Sequence, residues 1–413
     1  MTSICVLGLG YIGLPTASLL ASRGYRVYGV DVRPEIVETV SAGRVHITEA
    51  DLDGLVQKVV NSGLLTAHLT PCQADAFIIT TPTPLTEDRR PQLDFVFAAA
   101  SSIAPLLKRG DIVILESTCP VGSTRKVAKL LAEARPDLAI AGSGGAISDV
   151  SVAYCPERVL PGRILIELID NDRCVGGLTP VCTERAAQLY ESFVRGTVLR
   201  TDAATAELVK LTENAYRDVN IAFANELSMV ADHHGVDVWK VIKLANRHPR
   251  VNILNPGPGV GGHCIAVDPW FIVDSAPEQA RLIRTAREVN DRKADYVFER
   301  LAETIETSTD RTITCFGLSF KPNVDDLRES PAMAIVEKLG RAFPGKVAAV
   351  EPFIQVQPPA LKDAGVPLVS LEEGLDRTGA FVLLVDHTAF LRVPSERLTG
   401  RKIIDTRGAW GRA

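Results

Sequence analysis

Short apolar runs recur along the N-terminal part of the chain, and most of them lead into glycine, proline or threonine. An apolar run at residues 4–7 is followed by a glycine-rich turn, a helical segment from Pro15 to Ser22, and a second run, RVYGVD, that ends at Asp31. Apolar runs of this length between turn residues are typical of buried strands in parallel sheets. The order strand, turn, helix, strand therefore predicts an α/β unit.

Three more runs continue this pattern towards residue 200. They are ADAFIITTPTP (74–84), GDIVILESTCPVG (110–122) and SVAYCPERVLPG (151–162). Each predicts a strand followed by a loop at the strand's carboxyl end, where ligands bind in open parallel sheets. We therefore predict a Rossmann domain over residues 1–200.

From residue 201 the periodicity becomes helical. The segment from about Ala204 to His234 contains no glycine or proline, and a second helical segment runs from about Gln279 to Thr307. Because so long a helix usually spans domains or forms an oligomer interface, we predict a central helical domain over residues 201–308. Alternatively, this helix bridges the two sheets of a single chain. The positions expected on a homodimer surface are Leu208, Ala215, Ala222 and Met229.

The apolar runs return near the C-terminal end, in RTITCFGLSFKP, KVAAVEP, AFVLLVD and KIIDTRG. After the first of them, Ser330 and Pro331 are residues typical of the N-cap and the first position of a helix. These runs predict a second Rossmann-like domain over residues 309–413, without a glycine-rich phosphate loop. The predicted fold class is α/β, with two Rossmann-like parallel-sheet domains joined by a helical central domain with one long helix.

Composition narrows the range of functions. The 413 residues are 46% hydrophobic and 23% charged, as in ordinary globular proteins of two or three domains. A net charge of −5 without basic clusters argues against nucleic acid and anionic membranes as partners. We found no apolar run near ~18 residues and no signal-peptide pattern, so we expect a cytoplasmic protein. The eight scattered cysteines form no Cys-x-x-Cys pair and are expected to be reduced.

The turn after the first strand carries a dinucleotide-binding motif. Glycines at positions 8, 10 and 13 form Gly-x-Gly-x-x-Gly, and Asp31 lies 21 positions after the second glycine. Glycines in this pattern let the backbone approach a pyrophosphate, and an acidic residue at this distance binds ribose hydroxyls. The motif predicts NAD as cofactor, with a glycine-rich turn of another α/β protein as the alternative. Arg26 and Arg33 lie close enough in sequence to leave NADP open.

Lys210 and Asn214 lie four residues apart and share one face of the long predicted helix, with Arg217 one turn further. On a helix that follows an NAD domain, this pair suits the oxidation of an alcohol. The ammonium group can stabilise a developing alkoxide, and the amide can fix the substrate or a water. The alternative is a solvated polar stripe.

A second candidate group of reactive residues is GVGGHCIAVDP, where Cys264 follows glycines and precedes Asp268 by four residues. We interpret Cys264 as a nucleophile that adds to an aldehyde, so that a second hydride removal gives a thioester for hydrolysis. With only one dinucleotide motif, two NAD molecules would use one site in turn. The alternatives are a metal site with His263, Cys264 and Asp268, and a buried structural thiol.

Six segments together resemble the nucleotide-sugar 6-dehydrogenases, the UDP-glucose/GDP-mannose dehydrogenase superfamily. The resemblance extends from about Ile4 to Trp410. The segments are GLGYIGLP, ESTCPVGST, YCPERVLPG, KLTENAYRDVN, GVGGHCIAVDP and FGLSFKPNVDDLRESPA.

The resemblance implies an NAD-dependent, four-electron oxidation of a UDP-sugar at C6, in support of cell-surface polysaccharide biosynthesis. CPERVLPG, NRHPRVNILNPGPGVGGHCIAVDPWFI and RLIRTAREVND are most similar to members that oxidise UDP-N-acetyl-D-mannosamine, which we expect as substrate. UDP-N-acetylglucosamine and UDP-glucose are the alternatives. Rivals of another class are a two-electron hydroxyacid-type dehydrogenase, which would not need Cys264, and a non-catalytic nucleotide-sugar sensor.

The resemblance also implies roles for individual residues, none of them as a metal ligand. Cys264 would be the nucleophile and Lys210 the proton donor or acceptor, while the other catalytic residues would position water and intermediates or assist hydrolysis. The implied catalytic residues are Cys264, Lys210, Asn214, Asp268, Glu157 and Thr118. The implied NAD-binding residues are Gly8, Gly10, Tyr11, Ile12, Gly13, Asp31, Arg33, Thr83, Thr124 and Arg328. The implied UDP-sugar-binding residues are Arg158, Val159, Lys210, Asn214, Arg217, His248, Arg250, Gly261, Lys321 and Arg407.

The UDP pyrophosphate needs cations from side chains, because the C-terminal sheet lacks a glycine loop. Lys321 and Arg250 are the candidates, and the alternative for Lys321 is an ion pair with Asp325 or Asp326. Arg407 stands where the family pattern leads us to expect lysine. The unusual stretch AGSGGAIS (141–148) is assigned no function.

Overall fold

The computed structural model describes residues 1–143, 148–159, 162–262, 264–307 and 310–410. It contains two compact units, one of Met1–Glu213 with Trp270–Ser275, the other of Asn214–Pro269 with Ala276–Ala413. Residues 144–147 of the AGSGGAIS stretch lie outside the described residues, as does the predicted domain boundary at 308 and 309. The division into three domains stays a prediction.

The first unit contains an eight-stranded sheet. Its strands follow one another in space as β3-β2-β1-β4-β5-β6-β7-β8. Neighbouring strands are parallel except for β6 and β7, which are antiparallel. The strands are β1 (Ser3–Leu7), β2 (Arg26–Val30), β3 (Leu65–His68), β4 (Ala76–Ile79), β5 (Ile112–Leu115), β6 (Ser151–Tyr154), β7 (Arg173–Gly177) and β8 (Val198–Asp202).

Helices connect these strands and cover both faces of the sheet. Side chains alternate along a strand, so Ile4 and Val6 of β1 pack into one apolar cluster while Cys5 and Leu7 pack into the other. Burial on both faces explains why the strands are continuous apolar runs. The helices are α1 (Gly13–Ser22), α2 (Pro34–Ser41), α3 (Leu52–Asn61), α4 (Asp94–Ile103), α5 (Ser123–Ala134), α6 (Ile164–Asp170) and α7 (Pro180–Glu191), with a 3-10 turn at Ala104–Leu106.

The long predicted helix is α8 (Ala203–His233), which begins in the first unit and continues into the second. Its outward face differs from the predicted dimer surface, because Ala215 and Ala222 are only 3% and 4% exposed. The large apolar side chains that α8 exposes to solvent are Leu208, Tyr216, Phe223 and Val230. The sequence pattern placed the helix correctly but did not identify which side of it is buried.

The second unit contains a parallel five-stranded sheet in the order β11-β10-β9-β12-β13. As predicted, Ser330 caps α12 and accepts a hydrogen bond from the Met333 amide, with Pro331 at the first position. The strands are β9 (Ile313–Phe316), β10 (Val347–Val350), β11 (Leu368–Val369), β12 (Ala380–Leu383) and β13 (Ile403–Asp405). The helices after α8 are α9 (Val238–Ala245), α10 (Asp268–Ser275), α11 (Arg281–Thr307), α12 (Pro331–Ala342), α13 (Pro359–Asp363), α14 (Leu371–Asp376), α15 (Thr388–Leu391) and α16 (Ser395–Leu398).

The predicted fold class is confirmed. The structure has two sheets of Rossmann type and a helical region that includes one helix of 31 residues. The strands that the apolar pattern did not predict are β3, β7, β8 and β11. Within the described part of the chain, none of the helices has the length and apolar character needed to cross a membrane.

Candidate active site

The glycine motif has the geometry that a dinucleotide needs. Gly8 has a φ of +99°, and a Cβ atom on Gly13 would lie 1.8 Å from the Gly8 carbonyl oxygen. Only glycine fits these two positions, since one is left-handed and the other has no room for a side chain. A Cβ atom on Gly10 would meet nothing within 4 Å, so the backbone there is open to a ligand at the N-terminal end of α1. This arrangement fits the pyrophosphate of NAD.

Asp31 follows β2 and holds the motif in place. One of its carboxylate oxygens accepts a hydrogen bond from the Leu9 amide at 3.0 Å, and the other accepts one from the Arg33 amide at 3.1 Å. The exposed Arg33 side chain lies 3.6 Å from the same carboxylate. The predicted neighbours Tyr11 and Ile12 form the turn that leads into α1. Asp31 therefore joins the end of β2 to the glycine turn.

The loops that follow β4 and β5 meet at their tips. The Thr83 hydroxyl donates a hydrogen bond to the Thr118 carbonyl at 2.7 Å. At the start of α5, the Thr124 amide and hydroxyl both donate to the Glu207 carboxylate at 2.7 Å. Glu207 therefore caps the N-terminal end of α5, a role that the sequence analysis did not predict. Its position one helical turn before Lys210 indicated that it shares the buried face of α8. Burial raises the pKa of Glu207 against the opposing effect of these hydrogen bonds.

Lys210 and Asn214 lie on a buried face of α8, so they do not form the solvent-exposed polar stripe that was the alternative interpretation. Lys210 is 9% exposed and Asn214 is 7% exposed. The Asn214 side-chain amide donates a hydrogen bond of 2.5 Å to the Asp268 carboxylate. Arg217 is exposed, and Asp218 occupies the next inward position. Asn214 and Asp268 were predicted separately, and the second unit brings them together.

Cys264 lies on an exposed turn that leads into α10. The Cys264 carbonyl accepts hydrogen bonds from the Asp268 amide at 2.8 Å and from the Val267 amide at 3.1 Å. Asp268 itself is buried at the first position of α10. The exposure of Cys264 is inconsistent with a buried structural thiol. The metal alternative requires His263, which lies outside the described residues, and the residues described contain no metal-binding group of three or more His, Cys, Asp or Glu side chains.

The glycines before Cys264 lack side chains where other segments of the same unit approach the backbone closely. A Cβ atom on Gly261 would lie 2.3 Å from the Glu329 carbonyl oxygen, and Gly262, with a φ of +84°, donates to the same carbonyl at 3.4 Å. A Cβ atom on Gly257 would lie 2.6 Å from Nη1 of Arg407. These glycines therefore place the loop against the segment before α12 and against Arg407.

A buried polar network holds the same loop from the side of α8. The Gly257 amide donates to Oδ1 of Asn225 at 2.8 Å, and the Asn225 side chain donates to Asn290 of α11 at 2.9 Å. Asn290 also donates to Asp218 at 2.8 Å, and Asp218 forms an ion pair with the fully buried Arg287. The network fixes the start of the segment that ends at Cys264.

At the end of the second sheet, a carboxylate takes up the backbone amides that follow β9. Glu351, which follows β10, accepts hydrogen bonds from the Leu318 amide at 2.7 Å and the Ser319 amide at 3.1 Å. These amides follow β9, where a glycine loop would otherwise bind phosphate. Ser319 also donates to the backbone carbonyl of Lys321 at 2.8 Å, which ties Lys321 to the end of β9.

The predicted cations of the second unit have defined neighbours. Asp326, a predicted partner of Lys321, forms an ion pair of 2.7 Å with Arg328. The side chain of Arg407 forms an ion pair of 2.7 Å with Asp386. His248 and Arg250 are exposed and adjacent, and Nδ1 of His248 accepts the Arg250 amide at 3.3 Å.

Glu157 belongs to a buried charge cluster of the first unit that the sequence did not reveal. Its carboxylate accepts hydrogen bonds from Arg173 at 2.7 Å and from the Arg158 amide at 2.6 Å. Arg173 also lies 3.7 Å from Glu116, which accepts a hydrogen bond of 2.5 Å from the Tyr190 hydroxyl. Burial raises the pKa of Glu116 to about 7, although the Arg173 charge opposes this.

Two other predicted substrate residues lie beside this cluster. The Arg158 side chain forms an ion pair of 2.6 Å with Glu213 of α8 and is about one-third exposed. Val159 is half-buried and packs against the core under the sheet. Their side chains are thus held by the first unit itself.

The first sheet and its glycine motif define this protein as an NAD-binding α/β enzyme. Residues 2–194 match the NAD binding domain of the UDP-glucose/GDP-mannose dehydrogenase family, residues 204–292 its central domain, and residues 314–412 its UDP binding domain. The chain belongs to this family. It is an NAD-dependent nucleotide-sugar dehydrogenase, as the sequence predicted.

Relatives cover almost the whole chain. An NDP-N-acetyl-D-galactosaminuronic acid dehydrogenase from Ralstonia nicotianae is 58% identical over 99% of this chain and 96% of its own length. A UDP-N-acetyl-D-mannosamine dehydrogenase from Escherichia coli K12 is 52% identical over 99% of both chains. The solved structure of a UDP-D-ManNAc dehydrogenase from Pyrococcus horikoshii is 38% identical, with a TM-score of 0.87 over 99% of this chain and 96% of that one.

The raised pKa of Glu116 makes stability depend on pH. Between pH ~4.5 and ~7 this carboxyl ionises in the unfolded chain but stays protonated in the folded chain, so its contribution to stability is lost as pH rises. We expect Glu116→Gln to remove that loss, which amounts to roughly 3 kcal/mol across the window. Chemical denaturation of the wild type and the variant at several pH values measures this change in the free energy of unfolding. Glu87→Gln, at an exposed loop position, is the control, and equal pH dependence in both variants would contradict the prediction.

Proposed function

We propose that this dehydrogenase oxidises UDP-N-acetyl-D-mannosamine at C6 to UDP-N-acetyl-D-mannosaminuronate, with two NAD and one water. The observation that carries the proposal is Cys264, an exposed thiol on the turn that leads into α10. The first residue of α10, Asp268, is buried and accepts a hydrogen bond from Asn214. A two-electron dehydrogenase needs no nucleophile. In a four-electron oxidation the second hydride must leave a tetrahedral carbon that still carries its hydrogen, and addition of the Cys264 thiolate to the aldehyde gives that carbon. The product would serve polysaccharide biosynthesis, and we expect the enzyme to be cytoplasmic.

The chemistry divides into three steps on the substrate carbon. When bound at the glycine motif, NAD would supply the hydride acceptor for each of the two oxidations. Lys210 takes up the alcohol proton or stabilises the alkoxide as the aldehyde forms. The Cys264 thiolate then adds to the aldehyde, and loss of the second hydride leaves a thioester. Water cleaves the thioester with help from Glu157 and Thr118, which releases the acid and restores the thiol.

Burial supports the proposed roles of the polar residues. Lys210, Asn214, Asp268 and Glu157 are each less than 10% exposed, so their charges and dipoles act where water screens them little. Asn214 donates a hydrogen bond to one oxygen of Asp268, which fixes the direction of that carboxylate. These residues can therefore orient a reacting group rather than only solvate it.

The assignment of an N-acetylhexosamine as the sugar depends on the names of similar proteins rather than on the geometry of the site. Relatives 52% identical are named for UDP-N-acetyl-D-mannosamine, which favours this sugar. Two relatives named for NDP-N-acetyl-D-galactosaminuronic acid are 58% and 57% identical, so UDP-N-acetyl-D-galactosamine is the rival substrate that identity supports. Comparing kcat/KM over these two sugars, UDP-N-acetylglucosamine and UDP-glucose decides among them. A preference for UDP-glucose would refute the N-acetylhexosamine assignment.

We expect the wild-type protein to form two NADH per UDP-sugar consumed, and we expect Cys264→Ser to lose turnover while it still binds the UDP-sugar. The serine hydroxyl is a much weaker nucleophile than a thiolate, so the second oxidation should fail. Absorbance of NADH gives the stoichiometry, and calorimetry gives binding. Cys72→Ser, at a partly exposed cysteine in the loop between β3 and β4, is the matched control. Acid formation by Cys264→Ser at the wild-type rate would rule out the thioester route.

We expect Lys321→Ala to raise KM for the UDP-sugar by roughly ten- to a hundredfold, because one charged contact to phosphate contributes about 1.5–3 kcal/mol. The KM for NAD should change much less. Lys362→Ala, at an exposed position of the same unit, is the control for charge alone. A loss of NAD affinity with an unchanged sugar KM would show that the C-terminal sheet does not bind UDP.

We also propose that the enzyme is a homodimer that covers the exposed apolar face of α8. Phe223 and Tyr216 are 57% and 68% exposed and lie at helical spacing with Leu208 and Val230. Phe223→Asp should give a monomer by light scattering at micromolar concentration, since a carboxylate cannot be buried there unpaired. Leu244→Asp, at an exposed position of α9, should leave the assembly unchanged. A wild-type monomer would refute the proposal.

A further inference from the structure

The one antiparallel step in the first sheet brings a cation to the edge where ligands bind. Strand β7 runs against β6, with Ala153 opposite Gly177 and Tyr154 opposite Gly176. The amino end of β7 therefore extends past the carboxyl end of β6 at the same edge of the sheet, and Arg173 is the first residue of β7. A parallel strand would have placed this arginine at the opposite edge of the sheet. The topology itself thus pairs Arg173 with Glu157, which follows β6.

The position of Arg173 is fixed from three sides. Nη2 donates to Glu157 at 2.7 Å, and Nη1 donates to the Cys155 sulfur at 3.6 Å. The guanidinium group stacks over the ring of Tyr190 at 4.9 Å, and the same tyrosine donates its hydroxyl to Glu116. Arg173 is 4% exposed, so little solvent competes for these contacts. A planar fork held in this way can impose a direction on the carboxylate that it binds.

Stability alone does not account for this cluster. Placing one guanidinium and two carboxylates out of water is costly, and well-packed apolar residues would often be as stable or more stable. One oxygen of Glu116, Oε2, has no hydrogen-bond partner among the described residues. The cluster instead gives Glu157 two directed contacts, from Arg173 and from the Arg158 amide. Since a carboxylate has about four acceptor positions, Glu157 can still accept a proton from water while it is held.

We propose that Arg173 is a positioning residue that aims the Glu157 carboxylate for thioester hydrolysis, and that Glu116 and Tyr190 hold Arg173 in place. This inference rests on the proposed function. In the step concerned, the water oxygen bonds to the thioester carbon and one water proton passes to Glu157. The carbon–sulfur bond then breaks, the Cys264 thiolate leaves, and the acid product is released. No oxidant or reductant takes part in this step.

Glu116 gives the step a dependence on pH. The groups that face it are Arg173 of β7, Glu157 and Cys155 after β6, and Tyr190 of α7. Burial raises its pKa to about 7. Below that pH, Glu116 is neutral and the Arg173 charge is paired with the Glu157 carboxylate alone. Above it, Glu116 is charged as well, and the two carboxylates compete for the same guanidinium group. We therefore expect hydrolysis to slow as pH rises through about 7, and Glu116→Gln to remove this inflection.

The experiment compares Arg173→Lys with the wild-type full-length enzyme in rapid-mixing measurements with NAD and UDP-N-acetyl-D-mannosamine. Lysine keeps the positive charge but lacks the planar set of N–H donors of the guanidinium group. We expect the early formation of NADH to be nearly unchanged and the later turnover to fall roughly ten- to a hundredfold, since small misplacement of a catalytic group has effects of this size. The acyl-enzyme on Cys264 should then accumulate and be detected by intact-protein mass spectrometry.

Glu157→Gln provides the decisive comparison. If Arg173 acts through Glu157, Arg173→Lys in the Glu157→Gln background should slow hydrolysis less than about threefold further. Equal effects in both backgrounds, or equal slowing of the early NADH phase, would overturn the proposal. Should Arg173→Lys fail to fold, Glu116→Gln and Tyr190→Phe supply the same test. For Tyr190→Phe, accumulation of the acyl-enzyme supports the proposal, and for Glu116→Gln, loss of the slowing above pH ~7 supports it. An unchanged pH profile with unchanged hydrolysis refutes it.

Failure of the proposed function gives a different result. In that case the wild-type enzyme itself forms no acyl-enzyme and does not yield two NADH per sugar. Failure of the positioning role leaves both wild-type results intact and shows only independent effects of Arg173 and Glu157. The two outcomes are therefore separated by the wild-type measurement alone.

Discussion

The constraint on which most of this structure depends is that buried polar groups need hydrogen-bond partners. Helix α8 turns a polar face inward, so each buried group on that face must meet a donor or acceptor from elsewhere in its own unit. The partners come from the start of α5, from the turn after Cys264, from α11 and from the glycine loop. The buried polar residues of α8 with identified hydrogen-bond partners are Glu207, Asn214, Asp218, Asn225 and Ser228.

This requirement explains why segments far apart in sequence are ordered at the candidate site. Asn214 fixes Asp268, and Asn225 fixes the Gly257 amide, so α8 sets both ends of the segment that carries Cys264. The cost of burying polar groups is offset by bonds that also restrict the reacting residues. The outward side of α8 carries four large apolar side chains, which is unusual for a surface helix; they are Leu208, Tyr216, Phe223 and Val230.

A second consequence concerns the backbone amides that follow the central strand of each sheet, which have different partners in the two units. In the first, Asp31 accepts the Leu9 amide but the backbone at Gly10 stays open to a pyrophosphate. In the second, Glu351 takes up the amides of both Leu318 and Ser319. The same topology therefore leaves the backbone at the end of its first strand open in one unit and takes up the corresponding amides with a carboxylate in the other.

Local sequence determined the strands of the apolar runs, the glycine motif, the length of α8, and the candidate roles of Cys264 and Lys210. Each of these depends on periodicity, backbone conformation or residue chemistry over a few neighbouring positions. Tertiary structure alone decided which face of α8 is buried, that β7 runs antiparallel, and that Arg173 meets Glu157. These features depend on contacts between distant segments, and the chain near Arg173 carries no periodic signal of its partner. Desolvation in the folded protein, rather than residue type, likewise sets the protonation of Glu116.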